Sequence, residues 1–164
     1  MKPQAARETH EVERDYYEWL RQQSRALREH RPAFLDWRNL AEELEAMARS
    51  EERSLGSQLE RLLVHLQKWA YQPQERSGSW EASIDNARDA IEECLEGSTS
   101  LAGKLAGLAE RAYRRARRTA GAEMGLDKRQ WSGLLPETCP WPVERVRDAR
   151  FWPAAASRSN GHKR

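Results

Sequence analysis

Between Pro32 and Pro73 the chain has no proline, and its apolar residues recur as Leu40, Leu44, Met47, Leu55, Leu59, Leu62, Leu66 and Trp69. That spacing is the period of an α-helix. Leu44, Leu55 and Leu66 are eleven residues apart, close to three full turns. Asp36 and Asn39 are both good N-caps, and Glu42 lies three residues beyond Asn39. The single glycine in the run, Gly56, costs a helix only about 1 kcal/mol. The pattern predicts one long helix over 36–70, with a break between Ser50 and Ser57 as the alternative. A helix of that size, about 50 Å at 1.5 Å per residue, obliges the rest of the chain to pack along it.

The remaining segments repeat the helical period and nowhere alternate as a strand would. Val12, Tyr16, Trp19, Leu20 and Leu27 form one stripe, which should stop near His30 because Pro32 disfavours helix in the residue before it. Pro73 and the "RSGS" stretch force a turn. After it Ser79 can cap a helix carrying Trp80, Ile84, Ala87, Ile91 and Leu95, with Gly97 placed for a left-handed C-terminal cap. A further helix from about Ser100 presents Leu101, Leu105, Leu108, Ala112, Ala116 and Thr119, and should end at Gly125. Beyond it lie Trp131, "PETCPWP" and "FWP", an irregular strap bearing Trp rings. The expected fold is all-α: four main helices in an antiparallel bundle, one of them long and central, closed by a Trp/Pro-rich C-terminal strap. Residues 8–153 form one domain in this reading, and 1–7 and 154–164 are disordered tails. Antiparallel folding pairs Tyr16 with about Glu51 and brings Asp15 towards Arg49 or Arg53. It also brings His65 near Asp85.

Charged residues are 33% of the 164, and seven Trp against two Phe supply large rings for a narrow core. No apolar run approaches the roughly 20 residues of a membrane span. The opening "MKPQAARETHEVERD" has no apolar stretch of the secretory kind. Cys94 and Cys139 suggest neither a disulfide framework nor a metal finger. A reducing, cytoplasmic setting is expected. Net charge is only +2, but Glu42–Glu60 holds six acids and two bases, and Lys104–Arg129 eight bases and three acids.

Several pieces together, "DYYEWL", "NLAEELEAMARSEERSL", "LLVHLQKWAYQP", "RSGSW", Ile84 with Arg88, "LPETCPW" and "FWP", resemble the bacterial domain-of-unknown-function family 29 in order and over about residues 14–153. Trp141 stands where that family often shows Tyr. The resemblance implies an all-helical bacterial cytoplasmic protein and brings no catalytic residues with it.

Two places carry chemistry worth weighing. Around the Pro73 turn, His65, Lys68, Tyr71, Arg76 and Trp80, with Asp85 and Arg88 behind them, can ring a small anion or carboxylate. The next helix there offers free backbone N–H groups. The plainer reading is an architectural corner in which Trp69 packs on Trp80 and the polar groups satisfy turn carbonyls. On the helix "ERAYRRARR", Lys104, Arg111, Arg114, Arg115 and Arg118 project within an arc of about 100°. Such a face can hold phosphates without sequence preference, or simply be wetted. No aromatic interleaves it, which argues against base stacking.

No metal or cofactor is expected. Glu42, Glu43 and Glu45 lie about 35 Å from His65 if one helix carries them all, and no Glu-x-x-His pair is present. Arg61 and His65 have three residues between them, where small helical nucleases use four to six. The leading expectation is therefore a non-catalytic interaction module with a protein partner or self-association. Nucleic-acid binding is expected to be at most weak and non-specific, and membrane association is not expected. The competing reading is a small-molecule or anion binder, or a hydrolase or nuclease, at the corner around His65.

Overall fold

A computed structural model describes residues 15–156, which form seven α-helices and two single 3₁₀ turns. Among the described residues 75% are helical and none is in a strand. The described chain divides into two compact units, which part between Ser50 and Glu51.

The first unit is a helical hairpin. Helix α1, Tyr16–Arg28, is capped by the Asp15 carboxylate, which accepts the Glu18 N–H at 3.0 Å. It ends with His30 in the left-handed region at φ 53°. The Arg31 N–H donates to the Ala26 carbonyl and the His30 N–H to that of Leu27, the paired bonds of a Schellman stop built without glycine. A 3₁₀ turn, Pro32–Phe34, leads to α2, Trp37–Tyr71, where Asp36 accepts the Asn39 N–H as N-cap. The helix is unbroken through Ser50–Ser57. Within the hairpin the Tyr16 hydroxyl donates to Glu43, and the Gln23 side chain accepts the Asp36 N–H at 2.8 Å. The expected partner near Glu51 is thus wrong by two turns, because residues 29–36 make a tight turn and bring α2 back earlier. Asp15 is spent as a cap and does not meet Arg49 or Arg53.

The second unit contains the rest of α2 with α3 (Gly78–Leu95), α4 (Thr99–Ala102), α5 (Leu105–Glu123), α6 (Lys128–Leu134) and α7 (Val143–Arg147). Its core is Leu55, Leu59, Leu62 and Leu66 of α2, Ile84, Ala87 and Ile91 of α3, and Leu105, Leu108, Ala112 and Ala116 of α5, together with Leu135 and Val146. Apart from Leu135 and Val146, these are the residues whose period marked the helices. Helix α3 begins at Gly78, ahead of the expected Ser79 cap, with Ser77 as the flanking residue. Gly97 takes the left-handed stop expected of it, at φ 74°, and Gly125, expected to end its helix, is left-handed as well, at φ 72°. The expected helix from Ser100 is in fact two, interrupted at Gly103 and Lys104, where glycine weakens the helix. The C-terminal segment is less irregular than expected. Helix α6 carries a full capping box, the Asp127 carboxylate on the Gln130 N–H and the Gln130 side chain on the Asp127 N–H.

The described chain passes residue 153, and the Ala156 N–H donates to the Ala70 carbonyl at the end of α2. Residues 1–7, Val12 and 157–164 lie outside the described residues.

Candidate functional site

At the Pro73 corner most of the polar side chains already have partners, although the buried Nη2 of Arg76 has none among the described residues. His65 is half-buried, and its Nδ1 lies 3.0 Å from the Arg61 carbonyl one turn back. A carbonyl only accepts, so Nδ1 carries the proton. The Asp85 carboxylate faces Arg88 at 3.5 Å and does not meet His65. Lys68 is 9% exposed, its ammonium 2.7 Å from the Glu123 carboxylate of α5 and 4.5 Å from the centre of the Trp80 ring. A buried ammonium needs such a carboxylate, and the indole face adds cation–π attraction. Arg76 donates from Nε to the Trp69 carbonyl at 2.9 Å and lies over that residue's ring. Burial pushes the Tyr71 phenol above its ordinary value.

Arg88 is the most committed of the set. Buried at 3% exposure, it donates to the carbonyls of Val146, Ala149 and Phe151 and sits over the Trp152 ring. Desolvation lowers its pKa, and Asp85 and Asp148 oppose that. The corner's ring stack differs from expectation: Trp69 packs on Trp152 at 4.7 Å and not on Trp80. Trp152 enters from the C-terminal segment, a long-range contact that helical projection does not reveal.

The basic helix is α5. Lys104 pairs with Glu52, and Arg115 with Glu60 at 2.6 Å, so two of the five expected residues face α2 carboxylates. Lys104 is what chiefly holds the Glu52 carboxyl below its usual range, through their hydrogen bond. Arg111, Arg114 and Arg118 remain exposed, with no ion pair among the described residues. With Arg115, Arg117, Trp131 and Glu137 they border an open hollow of about 670 Å³. Arg117 falls outside the projected arc, so the sequence reading missed it. Its guanidinium donates to the carbonyls of Ser132 and Leu135 and lies 5.1 Å from the Trp131 ring centre.

A second cleft, about 510 Å³, runs between α5 and the C-terminal segment, with Leu63, Tyr113, Cys139, Trp141 and Val146 in its wall. Burial raises both the Tyr113 phenol, which donates to the Pro136 carbonyl, and the Cys139 thiol. A raised thiol pKa is the opposite of what an activated nucleophile needs. No group of three His, Cys, Asp or Glu among the described residues is placed to hold a metal ion. No helix of the described chain is long and apolar enough to cross a membrane.

The family model of the domain of unknown function DUF29 matches residues 12–152. The chain belongs to the DUF29 family. No curated protein matches it, and no solved structure does. DUF29 membership accounts for the run of pieces from "DYYEWL" to "FWP" and assigns none of them an activity. Two of those pieces, "LLVHLQKWAYQP" and "FWP", supply the Trp69 and Trp152 rings that meet at the corner.

Proposed function

We propose that this DUF29 chain is a non-catalytic protein-interaction module that works through its N-terminal hairpin. One observation carries the reading. In that unit Tyr16, Tyr17, Leu20, Leu27, Phe34, Trp37, Leu44 and Met47 are all exposed, and among its described residues those buried are Trp19, Gln23 and Ala26. An apolar surface of that extent on a folded domain marks an interaction site. The His65 corner supports the same reading from the other side, because its side chains are engaged in holding helices and carbonyls together. A bacterial, cytoplasmic setting belongs to this reading, supported by the family resemblance and by two free cysteines. So do an antiparallel order of four main helices and a strap formed by the C-terminal segment, supported by the bonds from Arg88 and Ala70 to that segment.

The test is polar substitution on the open face. In a sample dilute enough to hold single chains, Leu44→Glu and Met47→Glu should leave the melting temperature and helical dichroism unchanged, because neither side chain is core within the chain. A loss of several kcal/mol, as for core truncation at ~2–5 kcal/mol, would mean that the face is covered and the reading is wrong.

A second reading has its own observation. The hollow bordered by Arg111, Arg114 and Arg118 is suited to phosphates, supporting nucleic-acid binding that is weak and non-specific.

A further inference from the structure

Along α2 apolar residues recur at the helical period, with exposed Glu51 between the stretch from Trp37 to Met47 and the stretch from Leu55 to Leu66. Leu55, Leu59, Leu62 and Leu66 are fully buried, enclosed with residues of α3 and α5 in one core. Trp37, Leu44 and Met47, on the same side of the helix, are 63%, 64% and 58% exposed. Among the described residues of the hairpin, α1 meets the neighbouring side of α2, through Tyr16 on Glu43 and Gln23 on the Asp36 backbone. Helical projection places the exposed Tyr16, Leu20 and Leu27 of α1 within an arc of about 40°, just beside buried Trp19 and Gln23. Because the two helices run antiparallel, their open stripes turn to the same side of the hairpin. That is the form of half a four-helix bundle.

We propose that a second copy of this chain covers the face, hairpin against hairpin, in a two-fold symmetric four-helix bundle. This rests on the reading of the hairpin as the interaction surface and names its occupant. The size fits. The exposed parts of Tyr16, Leu20, Leu27, Trp37, Leu44 and Met47 sum to on the order of 700 Å², against the roughly 800 Å² per partner of a standard stable interface. The chemistry fits as well. None of those six side chains carries a charge, so two identical faces meet without like-charge repulsion, and a two-fold interface requires such self-complementarity. Two hairpins also provide what each stripe lacks, since a pair of helices buries an apolar stripe on one side only and needs another layer to enclose it.

Sedimentation equilibrium of the full chain at micromolar concentration tests this. The expected result is a mass twice the 19.0 kDa of the chain. Leu44→Glu and Met47→Glu should each weaken the dimer at least tenfold with helical dichroism retained. A single-chain mass for the wild type, or a doubled mass that both variants keep, overturns the second copy as occupant. Iodide quenching then separates that failure from failure of the hairpin reading, using the difference between wild type and Trp37→Phe. A quenchable Trp37 in a single-chain species leaves the hairpin as an open interaction face for another partner. A shielded Trp37 there overturns both.

Discussion

Gly56 and Gly121 are both buried within helices, yet a methyl group added at each meets different surroundings. At Gly56 the new carbon would lie 3.6 Å from an Arg115 nitrogen and 3.9 Å from a Leu108 methyl, ordinary contact distances. Gly56→Ala should therefore stabilise the chain by up to ~1 kcal/mol, the helix-propensity gain. At Gly121 it would lie 2.5 Å from Cβ and Cγ of Trp131, so α6 must move. Gly121→Ala should destabilise by ~1–3 kcal/mol despite the same propensity gain. Urea melts of the two variants decide the contrast. Tyr113 supplies a pH dependence. Its phenol is buried, and burial, with a smaller push from Cys139, raises its pKa, so the fold favours the neutral form. That contribution is fully present below the unfolded phenol's pKa of about 10 and is lost as pH rises through and above it. Tyr113→Phe should flatten this alkaline fall in a thermal-melt series from pH 8 to 11.

Arg88 works at the scale of elements, joining α3 to the C-terminal segment through three carbonyls. Arg88→Leu leaves those carbonyls without their donors and should cost ~3–5 kcal/mol. Arg88→Lys should recover little, because one ammonium lacks the planar fork that reaches separate acceptors. Guanidinium melts with Trp fluorescence would register both, and a stable Arg88→Lys would mean that charge alone matters there. The long helices were legible because their core residues repeat at the helical period and their stops carry glycine or a nearby proline, whereas the short helices α6 and α7 were not. Their mutual register was not, since it depends on how many residues a turn consumes: the hairpin turn set Tyr16 against Glu43, two turns from the expected place. The corner was legible as a cluster and not as a site. What Arg88 and Trp69 touch comes from residues 146–152, a distance along the chain over which no local pattern speaks. On α5 the projection gave the basic face but not its pairing, so Arg115 is a poor residue for testing it. Arg111→Gln with Arg118→Gln should lower any nucleic-acid affinity severalfold at low salt and leave the melting temperature alone. Tight sequence-specific binding that survives both changes at physiological salt would sink the wetted-face reading.

Across the whole molecule, the uneven burial of α2 sets an expectation for its stability. From Leu55 to Leu66 the stripe is held by a core, and opening those amides requires exposing it. From Trp37 to Met47 large apolar side chains are exposed, so the energy opposing local opening is smaller. Yet the helix is continuous, with no proline, glycine stop or left-handed residue dividing the two stretches. Protection against hydrogen exchange should accordingly fall along one unbroken helix, highest near Leu62 and lowest towards Trp37, in a dilute sample. Association changes only part of that gradient. Binding to the folded hairpin adds stability in proportion to the logarithm of partner concentration above the dissociation constant. Raising the protein concentration a hundredfold through that range should slow exchange over 16–50 by one to two orders of magnitude and leave Leu55–Leu66 nearly unmoved. Exchange read by mass spectrometry at two concentrations measures this directly. A uniform slowing over both stretches would instead mean that the two halves of α2 open as one cooperative unit, with the hairpin no less stable than the core it leads into.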